Sequence, residues 1–296
     1  MALKTLPTGR AARLAVLGAA LTTVLGPVLL GSTALAAPAQ LSSGQFQLVY
    51  QLLSITIAAM GAAFIFFVLG RQQLAERYRV AMLVSSLVVA VACYHYFRIF
   101  NSWNDAYTFA GGVYQATGRP FNDAYRYADW VLTVPLLLVE AVAVLGLAAR
   151  VATGMTTRLV VAALAMIALG YPGEISGDTG TRLLWGALST LPFIYIVYTL
   201  FVELGRSLPG QPPRVQLLVR NLRLLLFASW GFYPIAYLLP LLFGRLSSSG
   251  SVSVQVGYSL ADIIAKAGFG TLIYFIALEK TRADSDLKVS SLAATD

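Results

Sequence analysis

Charge is what this 296-residue chain has least of: Asp, Glu, Lys and Arg make up 11% of it, against 58% hydrophobic residues. An ordinary soluble protein carries roughly 25% charged residues, so the deficit excludes a soluble enzyme and a disordered chain. The net charge of +8 does not indicate nucleic acid, because the 21 basic residues are scattered among Leu, Val and Ala and form no stripe. Cysteine is equally scarce. Cys93 stands alone, which leaves neither an internal disulfide framework nor a thiolate metal site. Histidine occurs only as His95, and Lys266 is the only lysine between Lys4 and Lys280. The two-residue alternation of a membrane barrel is also missing.

Long apolar runs are what the chain does have. Lys4, Arg10 and Arg13 precede an apolar stretch at 14–30, and Ala34-Leu35-Ala36 follows, then Ala37 and Pro38. A basic start, an apolar stretch and a small-residue ending are the parts of a secretory signal. The break at Gly26-Pro27 argues against a membrane helix there. Cleavage is expected after residue 36, with the new amino terminus outside the cytoplasmic membrane.

A bilayer core needs about 20 apolar residues per helix. Seven such spans follow, near 46–70, 79–100, 122–147, 158–171, 183–203, 217–243 and 252–279. The fold class is therefore an all-α membrane protein, a seven-transmembrane-helix bundle over 37–280 with a tail at 281–296. Connector charge gives its direction. Arg71, Arg77 and Arg79, then Arg150 and Arg158, then Arg206, Arg214, Arg220 and Arg223, then Lys280, Arg282 and Lys288 fall on one side. The other side has little beyond Arg119, Arg182 and Arg245. The basic side is cytoplasmic by the positive-inside rule. The amino terminus is then outside and the carboxy terminus cytoplasmic, in a multi-pass protein of the cell membrane. The connector at 101–121 contains Gly111-Gly112 and suits an external hairpin.

An ionisable side chain at membrane depth is costly and marks function by default. Asp262 and Lys266 are spaced i, i+4 and share a face of the last span. A buried lysine amine readily loses its proton and condenses with aldehydes. In the third span Asp129 and Thr133 share a face, and Glu140 lies 11 residues beyond Asp129, roughly 16 Å further toward the cytoplasm. Two carboxylates thus lie outside the lysine and one inside, a directional set of proton sites. Lys266 and Arg126 balance Asp129 and Asp262.

Arg126-Tyr127-Ala128-Asp129-Trp130, Trp230-Gly231-Phe232-Tyr233-Pro234 and Asp262-Ile263-Ile264-Ala265-Lys266 together carry a resemblance. The chain resembles the microbial rhodopsins, and among them the xanthorhodopsin-like light-driven proton pumps, over all seven spans. The resemblance implies all-trans retinal on Lys266 as a protonated Schiff base. Asp129 would be counterion and proton acceptor, Asp262 second counterion, Glu140 proton donor, and Arg126 would sit on the exit side. Trp130, Trp230, Tyr233, Pro234, Tyr237, Leu137 and Ser189 would line the retinal pocket, with Tyr237 where a tryptophan is common and Leu137 favouring green absorption. Desolvation keeps a buried carboxyl such as Glu140 neutral at rest, as a donor requires. His95 lies at nearly the depth of Asp129, which makes a hydrogen bond between them reasonable if the faces agree. Gly186 would leave a window to the retinal ring, where relatives of this kind place a carotenoid antenna; a packing glycine is the other reading.

No Asp or Glu lies between Glu203 and Asp262, so proton uptake is expected before release. The expected function is an outward light-driven proton pump, not an enzyme, with lipid and protons as its partners and a homo-oligomer (pentamer or trimer) as its assembly. A sensory photoreceptor signalling to a partner is the alternative, and a transporter without retinal is the third reading.

Overall fold

The computed structural model describes residues 38–293 apart from 123, 146, 210 and 244–246. The expected signal at 1–36 and the connector charge Arg245 lie outside the described residues.

Seven spans in the described residues are long and apolar enough to cross a membrane. They are α1 (Ser43–Gly70), α2 (Glu76–Ala106), α3 (Tyr125–Leu145), α4 (Ala149–Ile175), α5 (Thr179–Arg206), α6 (Pro213–Phe243), and a seventh built in pieces. That last span is α7 (Ser248–Asp262), a π-helical turn (Ile263–Gly268) and α8 (Phe269–Ala293). Helices are forced here because lipid offers no partner to backbone N–H and C=O groups. Ser42 starts α1 with a reciprocal cap: its hydroxyl accepts from the Gln45 amide, and the Gln45 side chain accepts from the Ser42 amide. Pro135, Pro172 and Pro192 sit inside helices, as membrane helices tolerate.

Several helices outrun their apolar stretches. The fourth was expected at 158–171 and covers Ala149–Ile175. Its polar start does not break it because the hydroxyls of Thr153 and Thr157 donate back to Ala149 O and Thr153 O. The last helix does not end near 280 but continues to Ala293. Lys280, counted among the charges of the basic side, is buried and donates to Val144 O at 2.8 Å.

The hairpin between α2 and α3 is present. Strands β2 (Tyr107–Ala110) and β3 (Val113–Ala116) pair antiparallel across Gly111 and Gly112, whose φ values are +61° and +83°. A short strand, β1 (Gln40–Leu41), adds to the edge of β3, with Leu41 opposite Tyr114. The ring of Tyr114 stacks on Phe46 of α1 at 3.7 Å between centroids. The hairpin therefore marks one end of the bundle and is fastened to α1.

In the bundle α2, α3 and the seventh helix are the most enclosed, while α1 and α5 present most of their surface outward. Exposed Leu69, Leu191, Leu224 and Leu242 stud the outer faces, where lipid replaces water as solvent.

Candidate functional site

The intramembrane charges meet at the centre of the bundle. Lys266, 2% exposed, forms ion pairs with both Asp129 and Asp262, the latter at 2.8 Å. Lys266 lies within the π-helical turn, a device that recurs at functional sites. The expected helical spacing thus brings the pair together, but on a locally widened helix.

The two carboxylates are held unequally. Asp262 accepts hydrogen bonds from Tyr96 (2.8 Å), Trp130 Nε1 (3.3 Å) and Tyr233, besides its contact with Lys266. Asp129 receives Lys266 and the Thr133 hydroxyl (3.3 Å) on Oδ2. Its Oδ1 accepts no hydrogen bond among the described residues. The ring of His95 stands beside that oxygen, with Nδ1 at 3.8 Å. This is too long for the hydrogen bond that matching depths suggested, because Nδ1 is already bonded to Val91 O of its own helix at 3.0 Å.

Toward the hairpin end, Arg126 donates to the Tyr96 hydroxyl (3.2 Å) and to Gln255 Oε1 (2.5 Å). Arg126 therefore reaches Asp262 through Tyr96. Further along α3, toward the opposite end, Glu140 is wholly buried and accepts from the Ser85 hydroxyl at 2.5 Å. Glu140 is thus enclosed within the bundle.

A cavity of about 330 Å³ opens from Lys266. Its walls include Trp130, Leu137, Trp230, Tyr233, Pro234, Tyr237, Ser189 and Gly186, all of them expected wall residues. Tyr127, Val134, Met166, Ile167, Phe193 and Tyr258 complete much of the rest. Lys266 is the one charged residue in that lining. The volume and the apolar walls suit a small-molecule ligand, and a single amine at the end suits an apolar aldehyde.

Gly186 does not stand open. A Cβ there would lie 2.7 Å from the ring of Tyr237, so the glycine is a seat for that ring. Arg182, read as a connector charge, is buried inside α5. It pairs with Glu174 at 2.9 Å and donates to Tyr237 O, while the Tyr237 hydroxyl donates to Arg182 O at 2.9 Å. Tyr96, Ser85, Gln255 and Glu174 were missed. Tyrosine, serine and glutamine are common enough in membrane helices to carry no signal alone, and Glu174 sat beyond the expected end of its span.

A seven-helix membrane protein with an apolar cavity ending on a doubly paired lysine is the class these features define. The chain belongs to the bacteriorhodopsin-like protein family, whose model matches residues 47–280, and it is a microbial type 1 rhodopsin of the cell membrane. It is 29% identical over 230 residues to the green-light absorbing proteorhodopsin of Gamma-proteobacterium EBAC31A08, covering 77% of this chain and 85% of the relative. Among solved structures it is similar to thermophilic rhodopsin (50% identity, TM-score 0.80, 83% of this chain and 99% of that one). It is also similar to xanthorhodopsin, described as a light-driven ion pump with dual chromophore (51% identity, TM-score 0.79, 83% of this chain and 98% of that one).

Proposed function

We propose that the protein is a light-driven outward proton pump with all-trans retinal held on Lys266. The observation that carries this reading is the unequal pair of carboxylates around one lysine, with a third carboxyl buried beyond them. Bound retinal would supply a light-driven change of shape at the lysine nitrogen.

The chain's own groups do the rest. Asp262 is held by Tyr96, Trp130 and Tyr233; bonds to a carboxylate favour its charged form, so Asp262 remains an anion. Asp129 has fewer such bonds to lose and accepts the proton from Nζ of Lys266. Thr133 keeps the Asp129 carboxylate oriented. Glu140 returns a proton to Lys266 from the opposite end of the bundle, with Ser85 fixing its carboxyl. Arg126 stands on the exit side. It donates to the Gln255 amide oxygen, and no Asp or Glu lies between Glu203 and Asp262, so the connector between the sixth and seventh helices supplies no carboxylate for early release and uptake precedes release. The hairpin end faces outside and α8 faces the cytoplasm, in keeping with the basic connectors. His95 tunes Asp129 from beside its unbonded oxygen. A carotenoid antenna at this place would meet the ring of Tyr237, which occupies the space beside Gly186.

Light-induced pH change in cells supplied with retinal tests the reading. Acidification abolished by a protonophore supports the pump. Colour without acidification points to the photosensor, and no colour points to a transporter without retinal.

A further inference from the structure

The cavity does not end inside the protein. It reaches from buried Lys266 to Leu183 and Ala187 on α5 and Leu238 on α6. Leu183 and Leu238 are 49% and 41% exposed, on faces that lipid covers. The cavity thus has a mouth on the bilayer side, between α5 and α6.

Tyr237 stands in that mouth. Its ring fits where Gly186 has no side chain, and a Cβ at Gly173 on α4 would collide with its hydroxyl. Two glycines on two helices therefore make its seat, in the way small residues permit close approach in membranes. The seat is also latched. The guanidinium of Arg182 lies over the Tyr237 ring, 4.2 Å from its centroid, and donates to Tyr237 O. The Tyr237 hydroxyl donates to Arg182 O, and Glu174 fixes Arg182 in turn. A buried ion pair in this setting is costly unless it is well satisfied, and here it is satisfied by bonding the residue in the mouth.

We infer that the cleft between α5 and α6 is the door by which an apolar aldehyde dissolved in the bilayer reaches Lys266, with Tyr237 as its shutter and Arg182 as the positioning residue that holds the shutter. The inference rests on the retinal reading above. A chromophore of this kind is far more soluble in lipid than in water, and the hairpin end offers it a charged route past Arg126 and Asp262.

The test uses full-length protein made without chromophore, reconstituted in phosphatidylcholine vesicles and mixed with all-trans retinal. The rate at which the visible band appears is read, normalised to its final height. Leu183→Trp and Leu238→Trp narrow the mouth and slow the rate by about tenfold. Tyr237→Phe, which keeps the ring and loses the hydroxyl latch, and Tyr237→Ala accelerate it by about threefold or more. Leu224→Trp, on the lipid face of α6 outside the cavity, regenerates at the wild-type rate. If the tryptophan and Tyr237 variants all match wild type, the door is elsewhere and the inference is overturned. A wild type that develops no band sinks the retinal reading itself, and this inference with it.

Discussion

Ser85 on α2 donates a 2.5 Å hydrogen bond to Oε2 of Glu140 on α3, while Oε1 of that carboxyl accepts none among the described residues. The carboxyl is thus oriented by a single hydroxyl in apolar surroundings. Glu140→Gln is expected to slow return of the resting colour after a flash by roughly a hundredfold, the usual worth of a positioned acid. Ser85→Ala removes only the positioning and is expected to slow the same phase about fivefold, equivalent to about 1 kcal/mol. A Ser85→Ala decay as slow as that of Glu140→Gln would mean that Ser85 does more than orient.

Asp129 and Asp262 differ in their hydrogen bonds, so their variants should differ in kind. Asp129→Asn keeps a visible band and loses proton transport by at least about a hundredfold. Asp262→Asn leaves the hydroxyls of Tyr96 and Tyr233 facing a neutral amide and is expected to impair folding or chromophore uptake first. Absorption spectra beside light-induced pH traces separate the two. Lys266→Ala yields no visible band.

For His95 the informative measurement is a titration. Its Nδ1 sits 3.8 Å from Asp129 Oδ1, close enough to alter the energy of that carboxylate without bonding it. His95→Gln is expected to move the pH midpoint between the acid and alkaline forms of the band by about one unit, the effect of ~1.4 kcal/mol. A midpoint that stays in place removes His95 from the site.

The order of proton movements is expected from the sixth and seventh helices. No Asp or Glu lies between Glu203 and Asp262, and Arg126 donates there to the amide of Gln255, so a pH-sensitive dye is expected to report uptake first and release late in the cycle at neutral pH. Early acidification would require a release group elsewhere. Replacing Gln255 with Glu should bring release forward if the amide is what delays it.

The direction of the bundle is open to labelling. With Cys93→Ser as background, a cysteine at exposed Gln115 in the hairpin is expected to react with an impermeant maleimide added to cells. One at exposed Ser285 in α8 is expected to react only after lysis. The reverse pattern would invert the pump.

The expensive features were the legible ones. A lysine and three carboxyls inside apolar spans stand out because lipid penalises them, and each is buried in the structure. The hairpin was legible for a different reason, since paired glycines supply the positive φ values its turn uses. Two-residue β1 was not, because pairing at so short an edge depends on the neighbour rather than on its own residues. Arg182 misled because a charge beside Asp178 and Thr179 looks like a connector, and only the fold reveals that Glu174 arrives from α4 to meet it. The contact between Gly186 and Tyr237 was hidden for the same reason: a glycine does not say which side chain fills its place.

The π-helical turn at Ile263–Gly268 bears on the chain's tolerance of change in length. Such a turn holds one residue more than regular helix would, so the halves of the seventh helix, α7 and α8, are out of phase by roughly 100°. Losing one residue there would restore an even helix and swing Lys266 relative to Asp262, or Phe269 and Ile273 relative to the core they fill. This short stretch must therefore keep its number of residues as well as their chemistry.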